Sequence, residues 1–401
     1  MISINNAYSH RIGKKSLRVM RGDGSPVLNG DVVVRHEKHK VLFGCSAFES
    51  VRLINNELEG PEKEHASVHV QKIKELFNFV TMPFYWGRFE PRRGKPDTER
   101  IMKTARYWNE QGMAVKGHPL CWHTVCAPWL LDMTDEEILQ TQIARIERDV
   151  ADFAGVIGMW DVINEVVIMP VFNKYDNGIT RICKSEGRIG LVKKVFEASK
   201  RTNPEAVLLI NDFDMSVSYD ILLEGLLEVG IPIDAIGLQS HMHQGYWGTE
   251  KTEEILERFS RFGLPLHFTE INMVSGEIMP RHIEDLNDFI VDEWPSTAEG
   301  EERQAAEASA FYKLLFKCPL VEAVTYWNFT DGAWLNAPAG LMTKDARVKP
   351  AYEALHSLIK GEWMTPEQRL TVGTDGYIEV TGFKGEYTAE FDGGEMRFVI
   401  D

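Results

Sequence analysis

Two glutamates raise the chemical question. Glu165 closes the apolar run Gly158 to Glu165, which ends Trp160-Asp161-Val162-Ile163-Asn164-Glu165, and Glu270 lies near the end of the run Pro265 to Asn272. Burying a carboxylate in such a place is costly unless it is partnered. Glycoside hydrolysis needs two carboxylates. One is protonated to serve the leaving oxygen and one is ionised to attack the anomeric carbon, and they stand about 5–5.5 Å apart when configuration is retained. Other runs end in residues that suit a sugar site. Trp122, Trp129, Trp327 and Trp334 offer flat apolar faces for sugar rings, and His118, His123, Asn164, Gln239 and His241 offer groups that read hydroxyls or tune carboxylates. One strand-end glutamate is as often a salt-bridge partner as a catalyst, and one tryptophan is more often core than platform. The case rests on the set.

A metal-dependent barrel hydrolase is the competing use of the histidines. His241 and His243 fall on one face of a strand, with His118 and His123 near the same end of the fold. The neighbouring amides Asn164 and Gln239 are poor metal ligands, and the histidines have hydrogen-bonding work beside two carboxylates. The metal reading is therefore the weaker of the two, and a chelator that leaves activity unaffected would exclude it. The chain carries no phosphate-cradling glycine loop, no Gly-x-Ser-x-Gly and no dinucleotide fingerprint after a strand.

The elements that would gather these residues are legible as a pattern. Eight short apolar runs span Phe43 to Phe48, Phe79 to Trp86, Ala114 to His123, Gly158 to Glu165, Ala206 to Asp212, Ala235 to His243, Pro265 to Asn272 and Ala323 to Phe329. Amphipathic stretches separate them, among them Glu284 to Trp294 and Gly300 to Lys317, both read as helices. Alternation of this kind implies parallel strands joined by crossover helices, and eight units make an α/β fold of the (β/α)8 TIM-barrel type. The C-terminal strand ends of such a barrel share one mouth, so residues far apart in the chain converge there.

Both ends of the chain read as β-structure. Ser16 to Met20 alternates, Arg21 to Gly24 turns, and Asp31 to Val34 resumes; near the other end, Leu370–Val372, Tyr377–Val380, Tyr387–Phe391 and Met396–Ile400 are short strands between glycine turns. Neither segment buries a core alone. The expected division is a β extension at 1–42, a catalytic barrel at 43–360 and a β segment at 361–401 that pairs with the extension into a small accessory β domain.

Composition bounds the partners. The 401 residues are 44% hydrophobic and 26% charged, with a net charge of −16, which disfavours a nucleic-acid partner. Five scattered cysteines, Cys45, Cys121, Cys126, Cys183 and Cys318, do not form a disulfide framework. No apolar stretch is long enough to span a membrane. The first residues, Met-Ile-Ser-Ile-Asn-Asn, lack a leader pattern. A cytoplasmic location is expected, or a secreted one with the leader absent from this chain.

At this point the motifs resemble glycoside hydrolase family 10, the retaining endo-β-1,4-xylanases, from about Phe43 to Leu358. Trp160 to Glu165 resembles that family's acid/base strand, Phe268-Thr269-Glu270-Ile271-Asn272 its nucleophile strand, and Gly117-His118-Pro119-Leu120-Cys121-Trp122-His123 its third-strand motif. Asn211-Asp212-Phe213, Ile236 to His241, Thr325-Tyr326-Trp327 and Lys349 to Tyr352 follow in the family's order. The resemblance implies that Glu165 is the acid/base and Glu270 the nucleophile. It places His123, Asn164, Gln239, His241 and Trp327 around the sugar at the cleavage point, on a polysaccharide or oligosaccharide substrate, β-1,4-xylan or its oligomers, with no cofactor. The departures are specific. Where the family carries an acidic-amide pair and a lysine on its second strand, this chain reads Met82-Pro83-Phe84-Tyr85-Trp86, which makes Tyr85 and Trp86 the candidates for that side of the sugar. Val125, Asn272 and Asn328 replace a usual glutamine, aspartate and glycine. The same mechanism on another β-glycan or β-glycoside, and a non-catalytic carbohydrate-binding barrel, are the alternatives.

Overall fold

The computed structural model describes residues 6–401; the first five residues of the N-terminal extension, with most of the segment read for a leader, lie outside the described residues. Eight parallel strands close on themselves: Leu42–Ser46, Phe79–Pro83, Ala114–His118, Met159–Asn164, Val207–Asp212, Ala235–Leu238, Leu266–Met273 and Val321–Tyr326, the eighth pairing with both the seventh and the first. They are called here the first to eighth barrel strands. Each matches one of the eight apolar runs, and the polar clusters lie in the last residues of the strands or just past them. These strands are buried on both faces, which is why they read as continuous apolar runs rather than alternating ones. His241–Met242 adds a two-residue strand beside the end of the seventh.

Helices follow each strand and pack outside the barrel, from Gly60–Leu76 and Thr98–Glu110 to Ala298–Lys317 and Pro350–His356. The helix Asp135–Asp152 shows how the sequence fixes such an element. Thr134 and Glu137 form a reciprocal capping box at its start, and buried Arg145 donates to the carbonyls of Leu120 and Phe84 beneath the mouth. That guanidinium ties the helix to the loops that end the second and third strands.

The terminal segments pair with one another. Ile12–Arg18 runs antiparallel to Tyr377–Phe383. Asp31–His39 runs antiparallel to Gln368–Thr371 and Gly385–Phe391, and the latter pairs with Gly394–Ile400. Leu17, Val32, Val34, Ile378, Val380, Tyr387 and Ala389 fill an apolar core of their own. The first described element is not a strand: Asn6–Arg11 is a 3-10 helix, and the Arg11 guanidinium donates to the carbonyls of Phe316, Cys318 and Val321 at the base of the barrel.

The helix expected over Glu284 to Trp294 is absent. Only Leu286–Asp288 forms a 3-10 turn, capped by Asp285. The apolar residues that gave the segment its helical spacing, Leu286, Phe289, Val291 and Trp294, instead pack irregularly into a small separate core with Val274, Met279, Ala337 and Ala339. Tertiary packing overrides local propensity there. The five cysteines are all free. Among the described residues no helix is long and apolar enough to cross a membrane.

Candidate active site

The mouth is built on strand ends. Glu165 follows the fourth strand in the left-handed backbone region, at φ 57°, a conformation that costs a non-glycine residue about 1–3 kcal/mol. Two bonds from the end of the fifth strand hold it there: the Glu165 amide donates to Asn211 O at 2.8 Å, and the Val167 amide donates to Asp212 Oδ2 at 3.0 Å. Val125 and Asn328, two of the departures noted above, also have positive φ, at 51° and 64°.

The Glu165 side chain accepts from Trp122 Nε1 at 2.8 Å on Oε2, and from Asn164 Nδ2 and Gln239 Nε2 at 3.2 Å each on Oε1. Glu270, on the seventh strand, accepts from Asn211 Nδ2 at 2.8 Å on Oε1, and its Oε2 lies 3.0 Å from His241 Nε2. Asn211 Nδ2 also donates to Asn164 Oδ1 at 2.8 Å. The two carboxylates are therefore joined by a bridge of two amides, Asn164 and Asn211. Thr269 Oγ1 donates to Asn211 Oδ1 at 2.7 Å and fixes which way that amide faces.

Beneath them the barrel interior holds a buried ionic group. Asp161 Oδ2 lies 2.8 Å from Lys116 Nζ and 2.7 Å from His118 Nδ1, all three almost without exposure. A buried pair of this kind adds little net stability, but it orients the His118 ring towards the mouth, 5.2 Å from Trp327 and 5.6 Å from Tyr85.

The two glutamates are driven apart electrostatically. Burial pushes the Glu165 carboxyl up to about 8, and the negative charge of Glu270 adds to this against the hydrogen bonds from Trp122 and Gln239. Burial also pushes Glu270 upward, but the charge of His118 and the hydrogen bond and charge of His241 outweigh it, so Glu270 sits below the ordinary glutamate range. One carboxyl is kept protonated near neutral pH and its neighbour ionised, the division that acid-plus-nucleophile chemistry requires.

Glu165, Glu270, Trp122, Asn164, Gln239 and His241 share this hydrogen-bond network. His118, Trp327 and Tyr85 line it: Tyr85 packs edge-on to His118 and Phe48 and 5.6 Å from Trp122, and burial and the charge of Glu270 raise its hydroxyl pKa. Trp334 lies 4.7 Å from the His241 ring. Three residues go elsewhere. His123 turns to Phe172, 4.5 Å away, and bonds neither carboxylate. Trp86 is buried against Trp129 and Arg145 with its Nε1 on Glu90, and Trp129 donates to the Glu90 carbonyl. His241 and His243 do not converge: His241 serves Glu270 and Asn272, while His243 is buried against Trp294 and Trp334. Among the described residues no group of three or more His, Cys, Asp or Glu side chains is arranged to hold a metal ion.

Several site residues carry no strong sequence signal. Asn211 and Asp161 stood inside motifs with no role of their own, and Lys116 only as a charge inside an apolar run. Phe48, which packs against Trp327 at 5.3 Å, has no signal of its own.

The model of the family described as "Glycosyl hydrolase family 10" matches residues 47–358. The chain is 26% identical over 317 residues to endo-1,4-beta-xylanase B of Thermotoga neapolitana, across 74% of this chain and 84% of that protein. It is 25% identical over 296 residues to an endo-1,4-beta-xylanase/feruloyl esterase of Xylanibacter ruminicola, across 66% of this chain and 39% of that longer protein. Among solved structures, xylanase 10B from Thermotoga petrophila RKU-1 in complex with xylobiose is similar with a TM-score of 0.64 and 22% identity, over 80% of this chain and 94% of that one. At that identity the likeness is one of fold.

Proposed function

The chain belongs to glycosyl hydrolase family 10, and from that premise we propose that it hydrolyses β-1,4-xylan or xylo-oligosaccharides by double displacement, with Glu270 as nucleophile and Glu165 as acid/base. The observation that carries the assignment of roles is the unequal partnering of two buried carboxylates across a shared amide bridge: Glu165 accepts only from the neutral donors of Trp122, Asn164 and Gln239, while Glu270 is paired with His241, which is why burial raises the first and the histidines lower the second. A non-catalytic binding barrel has no use for that division.

In the first step a Glu270 oxygen attacks the anomeric carbon, and the proton on Glu165 passes to the departing glycosidic oxygen. The bond to the aglycone breaks and a glycosyl ester forms on Glu270. In the second step Glu165, now ionised, takes a proton from water; the water oxygen attacks the anomeric carbon and Glu270 leaves. The sugar is released with retained configuration. Asn211 and His241 hold Glu270 in place, while Trp122 and Gln239 aim Glu165.

A second reading keeps this mechanism and changes the sugar. Tyr85 stands beside His118 and Trp122 just past the second strand, in the stretch where the family usually carries polar glycone-binding residues, which favours another β-glycan or a β-glycoside. Purified protein incubated with xylan, xylo-oligosaccharides, other β-glycans and aryl β-glycosides, with products identified and anomeric configuration followed by NMR, separates the two. Xylo-oligosaccharide products with β-configuration support the first. Turnover confined to another β-glycoside supports the second, and inverted products contradict both.

A further inference from the structure

The segment that failed to form a helix is fastened to three loops at the strand ends. After the seventh strand, the Met279 amide donates to His243 O at 3.0 Å, and Gln244 Nε2 donates to the carbonyls of Pro280 and Ile283 at 3.0 and 2.7 Å. These bonds lay the chain over the loop that ends the sixth strand. The next few residues are fastened on two sides. Lys174 Nζ, in the loop after the fourth strand, lies 2.6 Å from both Asp285 Oδ2 and Asp288 Oδ1. Asn287 Oδ1 accepts from Trp334 Nε1 at 3.3 Å, in the loop after the eighth strand. In a closed barrel of eight, the fourth and eighth strands face each other across the axis. Four consecutive residues reach at most about 14 Å when extended, so the loops that rise from these two opposite strands are fastened to one short turn. Its Trp334 anchor packs on His241, the partner of Glu270.

The crossing is rigidly supported. Ile283, Leu286, Phe289 and Val291 pack on Met279 and Trp294 in a core separate from the barrel's. The base of the segment is narrow, with Trp294 Nε1 donating to Glu277 O at 2.9 Å and the Ser275 and Ser296 hydroxyls 2.7 Å apart. On the side of the first and second strands, Phe48 packs edge-on to both Trp327 and Tyr85 and forms a second wall.

We propose that residues 281–292 form a fixed roof over the two carboxylates, so that the site is a pocket that takes a β-linked substrate by its chain end or as a short glycoside, and does not cut internal linkages of a polymer. This rests on the glycosidase reading above. An internal cut requires the polymer to lie through the site with both ends outside it, and a span anchored on opposite sides of the mouth obstructs that path.

The test compares two probes on the full chain: a 4-nitrophenyl β-xylobioside and soluble β-1,4-xylan, the latter followed by viscosity and by product size. The wild type is expected to release aglycone from the glycoside and only short terminal products from xylan, with viscosity falling slowly for each bond cut. Replacing 281–292 with Gly-Ser-Gly-Ser across the narrow base is expected to raise the ratio of xylan to glycoside kcat/KM by about tenfold or more. The double variant Asp285→Asn/Asp288→Asn, which frees Lys174 without shortening the chain, should raise it in the same direction by less, since exposed ion pairs hold weakly. Rapid viscosity loss with a ladder of mid-chain products from the wild type overturns the roof and leaves the glycosidase assignment standing. An unchanged ratio in the shortened variant, with glycoside turnover intact as proof of folding, also overturns it. Glycoside turnover equal in wild type and Glu270→Ala overturns the glycosidase assignment instead, and turnover of neither probe by the wild type counts against both.

Discussion

Asn272 donates its side-chain amide to the carbonyl of Trp327 at 2.6 Å, and this bond decides which end of the amide faces His241, the partner of Glu270. With Nδ2 committed to a carbonyl, Oδ1 is left to accept from His241 Nδ1 at 2.6 Å. The imidazole is thus held with its Nε2 on Glu270. Replacing Asn272 by Ala strands two buried groups, a loss of about 1–3 kcal/mol each. The expected outcome for Asn272→Ala is a lower melting temperature and a kcat reduced about 10- to 100-fold with little change in KM. Asn272→Asp restores an acceptor for His241 and should recover part of kcat. Kinetics of both variants on an aryl β-glycoside check this; equal loss in the two contradicts the positioning role.

The pH profile follows from the two carboxyl displacements. The proposed roles require Glu165 protonated and Glu270 ionised. As pH rises through about 8, Glu165 loses its proton and kcat/KM falls; as pH drops below the ordinary glutamate range, Glu270 gains one and kcat/KM falls again. Trp122→Phe removes a hydrogen bond that favours the ionised form of Glu165, so the alkaline limb should move upward. A limb that stays put or moves down in that variant contradicts the assignment.

Glu165→Gln should lower turnover of oligosaccharides by about 10²- to 10⁴-fold. It should slow formation of the glycosyl-enzyme far less for a 4-nitrophenyl glycoside, whose leaving group needs little protonation. Burst kinetics separate the two steps, and an absent alkaline limb in the variant's first step is the accompanying signature.

Gly237 on the sixth strand leaves room for Asn211: a Cβ at that position would collide with the Asn211 side chain. Gly237→Ala should therefore push the amide bridge out of register and cut kcat at least about tenfold, with overpacking costing about 1–3 kcal/mol of stability. Thermal denaturation beside steady-state kinetics distinguishes this from simple unfolding.

Acid should unfold the protein. Burial lowers His36 and His123 to about 4 and His39, His243 and His267 to about 3, against 6.5 for a free histidine. Between those values the unfolded chain binds protons that the folded chain refuses at five histidines, so stability falls as pH drops from about 6.5 towards 3, outweighing the opposite contribution of the two carboxyls raised to about 8 and about 7, Glu165 and Asp212. Urea midpoints at pH 7 and pH 5 measure it, and equal midpoints contradict it.

The barrel was legible because each of its strands is buried on both sides and so reads as a short apolar run. That Glu165 and Glu270 meet at one mouth was legible because both stand at the C-terminal ends of such runs. What the chain could not announce is direction and crossing. Trp122 and His123 are neighbours, yet one faces Glu165 and the other Phe172. Trp86 and Tyr85 are neighbours too, and only Tyr85 faces the mouth. The 281–292 crossing escaped because helical spacing of apolar residues is also what an irregular segment shows when it packs on a small core. Its fastening depends on Lys174 and Trp334, more than a hundred and about fifty residues away along the chain respectively. Asn211 was hidden for a similar reason, since its value lies in touching Asn164 and Glu270 at once.

Trapping the covalent intermediate tests the roles of the two glutamates most directly. A 2-deoxy-2-fluoro β-glycoside with a good leaving group slows breakdown of the glycosyl-enzyme, and peptide mass spectrometry locates the sugar. The account predicts one added glycosyl group per chain, on the peptide containing Glu270, and none in Glu270→Ala. A sugar found on Glu165 or another residue, or steady turnover with no adduct and inverted product, would contradict it.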